Sequence, residues 1–347
     1  MGRFTHMTLF GKSTSSWQVF WAVQPGGAGT RPTQLLGALA DVVGHAADDV
    51  FYVYHGPNAP DSPWKSTDRL RPGRDAEVQR DVPAACFSPA FTRELLRQCE
   101  WVDFYDDWSL APDINPLYRR YAERAYDYAE KLQAQGVLVT CNSEYMARRL
   151  RLPLTRVVPN GVDRGLSALG TDGDDRRRLI VQGHFFRGRT DFDLLRSIAA
   201  SGVFEEVVIC APGDSRPMRT TLADIARSAE LTVIPWLSDA DLAQLVGPRT
   251  VALIPHVVSD YTLSQDLMKA YKYLALGMRV ICPRLLWPTT LTDAHAYLID
   301  FGAHDPAILL DWVNTTSNPS KDDRRALTTY HSWESRADAV LRMLDAK

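Results

Sequence analysis

The sequence of 347 residues has few of the features that mark secreted, zinc-binding or membrane-spanning proteins. Its five cysteines are widely spaced and include no C-x-x-C pair, which argues against a disulfide framework and against a zinc site. No segment approaches the roughly 20 apolar residues that span a bilayer, and the first residues show no signal-peptide pattern. We therefore expect a protein of the reducing cytoplasm, with any membrane contact peripheral and at the inner face.

The chain also lacks a large excess of charge of one sign, since its formal net charge is only -3. Domains dedicated to nucleic acid are usually basic, so we expect no nucleic-acid partner. The sequence contains no low-complexity tract and no repeat of 20–50 residues. Hydrophobic residues make up 45% of the chain, which is typical of a globular protein, and its length favours two domains.

Short apolar runs alternate with helical patterns along most of the chain. "QVFWAV" and "VFYVY" predict buried strands, and the segment between them has apolar residues at helical spacing. Residues 55 to 90 are rich in proline, arginine and aspartate and predict irregular surface structure. "NPLYRRYAERAYDYAEKLQAQG" predicts one long amphipathic helix. Such alternation predicts parallel sheets with helices on both faces.

The polar, glycine-rich segment 164–176 predicts a linker between two halves. We therefore predict an α/β fold with two Rossmann-like domains and a cleft between them. The predicted boundaries are 1–165, 166–325 and a terminal helical segment, 326–347, that returns to the first domain. Ligands of such sheets bind outside the carboxyl ends of the strands.

The stretch "LMKAYKYLALGMRVICP" predicts a helix, a glycine stop at Gly277 and a strand. Thr262 and Gln265 form a capping-box pattern before it. Lys269 and Lys272 lie one turn apart on one face, where like charges repel by roughly 0.2–0.5 kcal/mol. Two solvated surface lysines would explain the pattern. An anion site at the start of the helix would also explain it, because a bound diphosphate offsets the repulsion.

Further segments follow one another in an informative order: "TRPTQLLGALADV", "VDFYDDW", "CNSEYMARRL", "VVPNGVD", "LIVQGHFFRGRTDFDLL", "LTVIPWLSDADL", "MKAYKYLALGMRVICP" and "YHSWESRADAVL". Together they resemble segments of glycosyltransferases with the GT-B fold. They are similar both to a subgroup of glycosyltransferase family 4 and to the xanthan-type glucuronosyltransferases of family 70. The resemblance covers nearly the whole chain.

The resemblance implies a donor that is a nucleotide diphosphate sugar of the UDP, GDP or dTDP type. The C-terminal domain would bind this donor, and the N-terminal domain would bind the acceptor. Lys269 matches a lysine that engages the donor phosphates in family 70. Lys272 stands where family 4 has a ribose-binding glutamate, and Ser264 stands at the position of that glutamate's partner acid. This departure favours the inverting family 70 type and leaves Lys272 an auxiliary role at the diphosphate.

An inverting transfer needs a base that deprotonates the acceptor hydroxyl. The segment "WVDFYDDW" predicts a strand that runs into a loop and places Asp106 and Asp107 at the end of the strand, with Asp106 as the first candidate. An acidic pair of this kind also occurs in plain turns and at helix N-caps. His55, after "VFYVY", is the next candidate, although a histidine at a strand end is often structural.

The glycine-rich turn "GGAGTRP" does not have the G-x-G-x-x-G spacing of a dinucleotide site. The resemblance places this loop, with Gly26, Gly27, Gly29 and Arg31, near the acceptor, while a plain turn explains it equally well. Arg187 and Arg189 follow "LIVQG", and the resemblance implies that one of them holds the diphosphate. The alternative is solvated surface arginines.

The resemblance also implies contacts to the nucleoside and sugar. Trp236 could stack on the nucleobase or could be an ordinary core or surface residue. The other candidates are Pro235, His256, Tyr261, Ser264 and Met268. Arginine and lysine side chains near the leaving diphosphate would do the electrostatic work that a metal ion does elsewhere, so we expect no metal and no other cofactor.

The sequence therefore favours a metal-independent, inverting glycosyltransferase. Its acceptor would be a hydroxyl group of a small molecule or of a lipid-linked sugar, in surface-polysaccharide or secondary-metabolite synthesis. Two alternatives remain open: a catalytically inactive glycosyltransferase-like binding partner, and a nucleotide-sugar 2-epimerase or hydrolase.

Overall fold

The computed structural model describes residues 17–20, 31–43, 50–53, 71–73, 84–87, 97, 99–112, 114–171, 173–185, 188–300 and 304–346. The chain divides into two compact units. Unit 1 comprises Met1–Gly161 and Trp333–Lys347, and unit 2 comprises Val162–Ser332. The first break lies four residues before the predicted position 165, and the second lies seven residues after the predicted position 325. The assignment of acceptor and donor to these units stays a prediction.

Unit 1 begins with alternating strands and helices: β1 (Trp17–Phe20), α1 (Arg31–Val43), β2 (Val50–Val53), β3 (Arg71–Gly73), β4 (Ala84–Cys86) and β5 (Trp101–Phe104). It continues with α2 (Pro116–Tyr126), α3 (Ala129–Ala134), β6 (Leu138–Cys141), α4 (Glu144–Leu150) and a 3-10 turn at Leu154–Arg156.

Unit 2 starts with a 3-10 turn at Arg164–Ala168, followed by β7 (Arg178–Gln182), α5 (Phe192–Ala199), β8 (Glu206–Cys210), α6 (Arg216–Ile225), β9 (Glu230–Ile234), α7 (Asp239–Gln244) and β10 (Val251–Leu253). It ends with α8 (Asp260–Leu263), α9 (Met268–Ala275), β11 (Arg279–Pro283), a 3-10 turn at Arg284–Leu286, β12 (Ala296–Ile299), α10 (Pro306–Thr315) and α11 (Lys321–Tyr330). The last helix of the chain, α12 (Trp333–Asp345), belongs to unit 1.

Each unit contains a parallel sheet whose described part has six strands. The order is β3-β2-β1-β4-β5-β6 in unit 1 and β12-β11-β10-β7-β8-β9 in unit 2. Numbered within each unit, both orders are 3-2-1-4-5-6, as in doubly wound nucleotide-binding sheets. The strand order reverses next to the first strand of each unit, between β1 and β4 and between β7 and β10. The predicted α/β class with two Rossmann-like halves is therefore confirmed.

The core of unit 2 lies on both faces of its sheet, because successive strand residues point to opposite sides. Ile180, Val208 and Cys210 pack with the apolar faces of α7 and α9. Their neighbours Leu179 and Val207 pack on the other face with α5, α6 and α10. The side chains of all five cysteines are buried.

The end of the chain packs within unit 1. Helix α12 lies against α1, and Trp333 at its start is buried. The Nε atom of Arg336 donates a hydrogen bond of 3.1 Å to the carbonyl of Asn160. A side chain at Gly161 would lie 2.7 Å from the Trp333 ring, so this position requires glycine. None of the described helices is both long enough and apolar enough to cross a bilayer.

Three local predictions are wrong. Residues 55 to 90 include the two short strands β3 and β4, which follow no hydrophobic alternation. The predicted long helix is interrupted at Asp127 and Tyr128. Tyr126 and Tyr128 are both buried, and on a continuous helix they would point about 200° apart, so the break lets both face the core. The predicted linker is instead part of unit 2. Its first residues form a turn in which the Leu166 side chain is buried, and the Leu166 carbonyl accepts a hydrogen bond from the Arg324 guanidinium.

Candidate functional site

The candidate site in unit 2 lies where its strand order reverses. The loops after β7 and β10 are joined there by an antiparallel bridge between Thr190 and His256. The backbone N–H of Val257 donates to the carbonyl of Arg189 at 2.9 Å, and the N–H of Asp191 donates to the carbonyl of Pro255 at 2.8 Å. The carboxyl ends of these strands form the crevice in which doubly wound sheets bind ligands.

Lys269 extends from the first turn of α9 toward this crevice. A side chain on Gly183, directly after β7, would collide with its Nζ atom. The lysine is half-buried, and it has no hydrogen bond or ion pair with any described residue. Burial, followed by the charges of Arg189 and Lys272, lowers the pKa of Lys269 from its ordinary 10.5 to about 7.

Two further nitrogen groups lie close enough to influence one another electrostatically. The Nε atom of Arg189 is buried and has no hydrogen-bond partner, and its guanidinium makes no ion pair with the described residues. The Nδ1 atom of His256 is likewise buried and has no hydrogen-bond partner among the described residues. Burial, with the charges of Arg189 and Lys269, holds the pKa of His256 well below its usual range, so the ring is neutral.

This cluster collects positive charge without a compensating carboxylate in the described part of the chain. Uncompensated charge in a partly buried position is unfavourable unless a ligand of opposite sign neutralises it. Lys269 and Arg189 supply donors suited to phosphate oxygens, and neutral His256 can supply one further donor or acceptor. The arrangement therefore has the charge and the donors that an anion requires. The prediction that Lys269 and Arg189 bind a diphosphate remains open to test.

Lys272 differs from Lys269 because it already has an anionic partner, forming an ion pair with Asp239 at the start of α7. Its Nζ atom also lies 5.8 Å from the centre of the Trp236 ring. The Trp236 side chain is 51% exposed and stacks with His184 at 5.4 Å between ring centres. Its exposure suits the predicted contact with a nucleobase, whereas the ion pair reduces the charge that Lys272 can offer a phosphate.

The remaining predicted nucleoside and sugar contacts differ in accessibility. Pro235 is exposed and Met268 is half-buried, whereas Tyr261 and Ser264 are buried. The Ser264 hydroxyl donates to the carbonyl of Tyr261 at 2.6 Å. Pro235 and Met268 are thus accessible to a ligand, while the hydroxyl of Ser264 stabilises the end of α8.

The start of the lysine-bearing helix is not where the capping pattern predicts it. Ser259 and Thr262 form the capping box, and it belongs to the short helix α8. Helix α9 begins only at Met268, and its N-cap residue Leu267 makes no side-chain cap. The prediction that Thr262 and Gln265 cap the start of the lysine-bearing helix is therefore wrong. The hydroxyl of Thr262 donates a hydrogen bond to the carbonyl of Val257, in the preceding loop.

In unit 1, Asp106 follows β5 with a left-handed backbone conformation, φ 58°. The Nδ2 atom of Asn142, which follows β6, donates to Asp106 Oδ1 at 2.9 Å. The Tyr126 hydroxyl donates to the carbonyl of Asp106 at 3.0 Å. These contacts fix a half-buried carboxylate at the carboxyl end of the sheet in an unfavourable backbone conformation, as functional sites often do.

Asp107 is buried and already bonded. Its Oδ1 atom accepts from the backbone N–H of Ser109 at 3.0 Å and also from that residue's hydroxyl. Its Oδ2 atom lies 3.4 Å from Arg149 Nε. These contacts favour a structural role for Asp107, so the prediction of a base depends mainly on Asp106.

Arg31 is also buried, with 2% of its surface exposed. Its guanidinium donates to both carboxylate oxygens of Asp103, at 2.8 and 3.0 Å, and to Asn160 Oδ1 at 3.2 Å. This arrangement favours a structural role over the predicted contact with an acceptor. His55, Gly26, Gly27, Gly29 and Arg187 lie outside the described residues, so their predicted roles are not tested.

Sequence reasoning missed Gly183, His184 and Asp239. The glycine that ends "LIVQG" was the available signal for Gly183, since a glycine directly after a strand permits close approach of a neighbouring group. Asp239 follows Ser238, an N-cap pattern that by itself indicates only a helix start. Among the described residues, no three His, Cys, Asp or Glu side chains are grouped as a metal site requires.

No protein-family model matches the chain, and comparison with the curated proteins finds no significant sequence similarity. Solved structures, in contrast, resemble nearly its whole length. HepE of Anabaena, in complex with UDP and glucose, has a TM-score of 0.60 and 9% identity over 95% of this chain and 99% of its own. AviGT4, a glycosyltransferase involved in avilamycin A biosynthesis, has a TM-score of 0.54 and 11% identity over 95% and 97%.

A third similar structure is the E. coli trehalose-6-phosphate protein bound with UDP-2-fluoro glucose. Its TM-score is 0.59, with 10% identity over 96% of this chain and 99% of its own. At these identities the similarity shows the fold, which is that of GT-B glycosyltransferases. The predicted GT-B fold is confirmed, and membership in a particular family stays a prediction.

Proposed function

We propose that this chain is a glycosyltransferase that moves a sugar from a nucleotide diphosphate sugar to a hydroxyl acceptor. The observation that carries the proposal is the pair of unpartnered cations, Lys269 and Arg189, in the crevice of unit 2. A diphosphate would supply the negative charge that the described residues do not. Similar structures contain UDP or a UDP sugar, which agrees with a donor of this class.

In this proposal unit 2 binds the donor and unit 1 binds the acceptor. As the bond between the anomeric carbon and the diphosphate breaks, negative charge grows on the leaving phosphate, and Lys269 and Arg189 stabilise it. This is the task that a metal ion performs elsewhere, and we propose that the reaction is metal-independent. The exposed Trp236 ring is the candidate platform for the nucleobase.

We further propose an inverting, single-displacement reaction. The acceptor oxygen attacks the anomeric carbon, its proton passes to the carboxylate of Asp106, and the nucleoside diphosphate leaves with the bonding electron pair. The acceptor would belong to a surface polysaccharide, a lipid-linked sugar or a secondary metabolite. We place the reaction in the cytoplasm or at the inner face of a membrane.

Calorimetry with UDP, GDP, dTDP and their sugar conjugates tests the proposal. We expect one nucleotide to bind, and we expect its sugar conjugate to release nucleoside diphosphate faster when a hydroxyl acceptor is present. Absence of binding by all of these nucleotides would contradict the donor site. Binding without turnover across an acceptor panel would favour an inactive binding partner, and turnover that needs no acceptor would favour the epimerase or hydrolase.

The pH dependence of binding provides a second prediction. In the free protein Lys269 has a pKa of about 7, and a bound diphosphate favours its charged form, so binding above that pH requires proton uptake. Between pH 7 and 9 the affinity for the nucleoside diphosphate should therefore fall, by up to about tenfold per pH unit.

Lys269→Arg is the control for this prediction, because an arginine remains charged over the whole range. Calorimetry at pH 7, 8 and 9 should give a much flatter profile for this variant than for the unmodified protein. Equal slopes for the two proteins would show that another group is responsible.

A further inference from the structure

Asp239 presents a carboxylate beside the cationic crevice of unit 2. It lies in the first turn of α7, and 43% of its side chain is exposed. One carboxylate oxygen, Oδ1, forms the ion pair with Lys272. The other, Oδ2, accepts no hydrogen bond from any described residue. The lysine thus fixes the carboxylate and leaves one acceptor atom open.

Lys272 also connects this carboxylate to Trp236. The Nζ atom of Lys272 lies 5.8 Å from the centre of the Trp236 ring, and only two residues separate Trp236 from Asp239 in sequence. Both residues follow β9, and both are solvent-accessible. An exposed aromatic ring and an open carboxylate oxygen therefore lie side by side at the same edge of the sheet.

The unpartnered cations continue this arrangement. Lys269 precedes Lys272 by three residues on α9, which places the two lysines about one helical turn apart. Lys272 therefore lies near an aromatic ring, a carboxylate and the cation of Lys269. A nucleoside diphosphate has three groups that suit these partners: a flat base, a sugar with hydroxyl groups and a diphosphate. A carboxylate can only accept hydrogen bonds, and the ribose hydroxyls can donate them.

We propose that Asp239 accepts a hydrogen bond from a ribose hydroxyl of the donor and that Lys272 is the positioning residue that holds its carboxylate. This inference rests on the proposed function, since it requires a nucleotide in the crevice of unit 2. It gives Lys272 a role different from contact with phosphate. It also makes Asp239 a specificity-determining residue for the sugar of the nucleoside.

The test compares a nucleoside diphosphate that binds with its 2′,3′-dideoxy analogue, which lacks both ribose hydroxyls. For the unmodified protein we expect the analogue to bind at least about tenfold more weakly, as for the loss of a hydrogen bond to a charged group. Asp239→Ala should weaken binding of the natural nucleotide by a similar factor and leave binding of the analogue unchanged. The ratio of the two dissociation constants then approaches one.

Lys272→Met should bring the ratio of the two dissociation constants closer to one without reaching it. Asp239 is still present in this variant, but its carboxylate has lost the ion pair that fixes its position. Lys272→Arg should restore most of the ratio, since a guanidinium can hold the same carboxylate. A lysine that merely contacts phosphate would change both dissociation constants equally and leave the ratio intact.

Asp175→Asn is a matched control. Asp175 forms an exposed ion pair with Arg249, and both residues precede strands, at the edge of the sheet opposite the crevice. This variant loses a comparable surface ion pair and should keep both the affinity and the ratio. Asp239→Leu, which has a similar shape and no hydrogen-bond acceptor, serves as a second variant at the site if the alanine variant folds poorly.

The outcomes distinguish the inference from the proposed function. If the unmodified protein binds no nucleoside diphosphate, the proposed function fails. If it binds both nucleotides equally, or if the Asp239 variants keep the original ratio, the inference is overturned while the proposed function stands.

Discussion

Replacing Asp106 by asparagine is expected to lower the rate of sugar transfer by about 10²–10⁴-fold, the usual contribution of a general base. Asparagine has the same shape as aspartate and tolerates the left-handed backbone conformation at φ 58°, so the loop should be retained. It cannot accept the proton of the acceptor hydroxyl. The affinity for the nucleotide sugar should be unchanged, because we assign donor binding to unit 2.

Asp106→Asn is measured by steady-state kinetics together with calorimetry of donor binding. Asp107→Asn is the matched control, since Asp107 is the adjacent carboxylate and is bonded to Ser109 and Arg149. We expect this control to lower thermal stability and to retain most of the transfer rate. If Asp106→Asn transfers sugar at the original rate, the base lies elsewhere, and His55 becomes the next candidate.

The second large effect is expected for Lys269→Met. This change should weaken binding of the nucleoside diphosphate by about 100-fold, as for removal of one partner of a desolvated charge pair. Binding of the corresponding nucleoside, which lacks phosphate, should hardly change. Calorimetry with both ligands measures the difference, and equal losses for the two would contradict a phosphate role.

The same variant should be more stable than the original protein when no ligand is bound, because it removes a half-buried cation that has no partner in the described part of the chain. The sign of the pH effect follows from the lowered pKa. Between pH 7 and 10.5 the unfolded chain binds the proton that the folded protein has lost, so the stability of the original protein rises with pH over this window. The increase in stability caused by Lys269→Met should therefore be largest below pH 7 and should become smaller as the pH rises.

Lys321→Met is the control for both measurements. Lys321 lies exposed in the first turn of α11 in the same unit, and its replacement should change neither nucleotide affinity nor the pH dependence of stability. Thermal unfolding at pH 6 and pH 9 without ligand is the measurement. A stability gain of equal size at both pH values would show that lost charge at position 269 is not its cause.

The sequence alone predicted the fold well because regular structure follows local periodicity. The apolar spacing predicted a helix between the first two strands, where α1 (Arg31–Val43) lies, and the sequence also predicted the glycine stop at Gly277, where φ is 86°. Strand–helix alternation implied two parallel sheets, since parallel strands need a crossover. The same reasoning failed at β3 and β4, which are only three residues long, and at the break after Tyr126, where packing overrides helix continuity.

The candidate site, like the fold, was predicted from the sequence only in part. The resemblance to GT-B glycosyltransferases identified Lys269, Arg189, His256 and Trp236 as residues with possible chemical roles, and position at a strand end identified Asp106. Whether a charged group is available for chemistry depends instead on its partner, which can lie far away in the sequence. Arg31 meets Asp103 across 72 positions, and this contact removes it from the surface.

The sequence by itself therefore determined the two-sheet architecture and the places where cations and carboxylates follow the strands, because both are set by local pattern. Only the tertiary structure decided which of those charges are neutralised. Strand order brings β7 beside β10, so that Lys269 and Arg189 share one crevice without a described carboxylate. It also brings the helix after β9 beside α9, so that Lys272 meets Asp239, a pairing that no spacing in the sequence could specify.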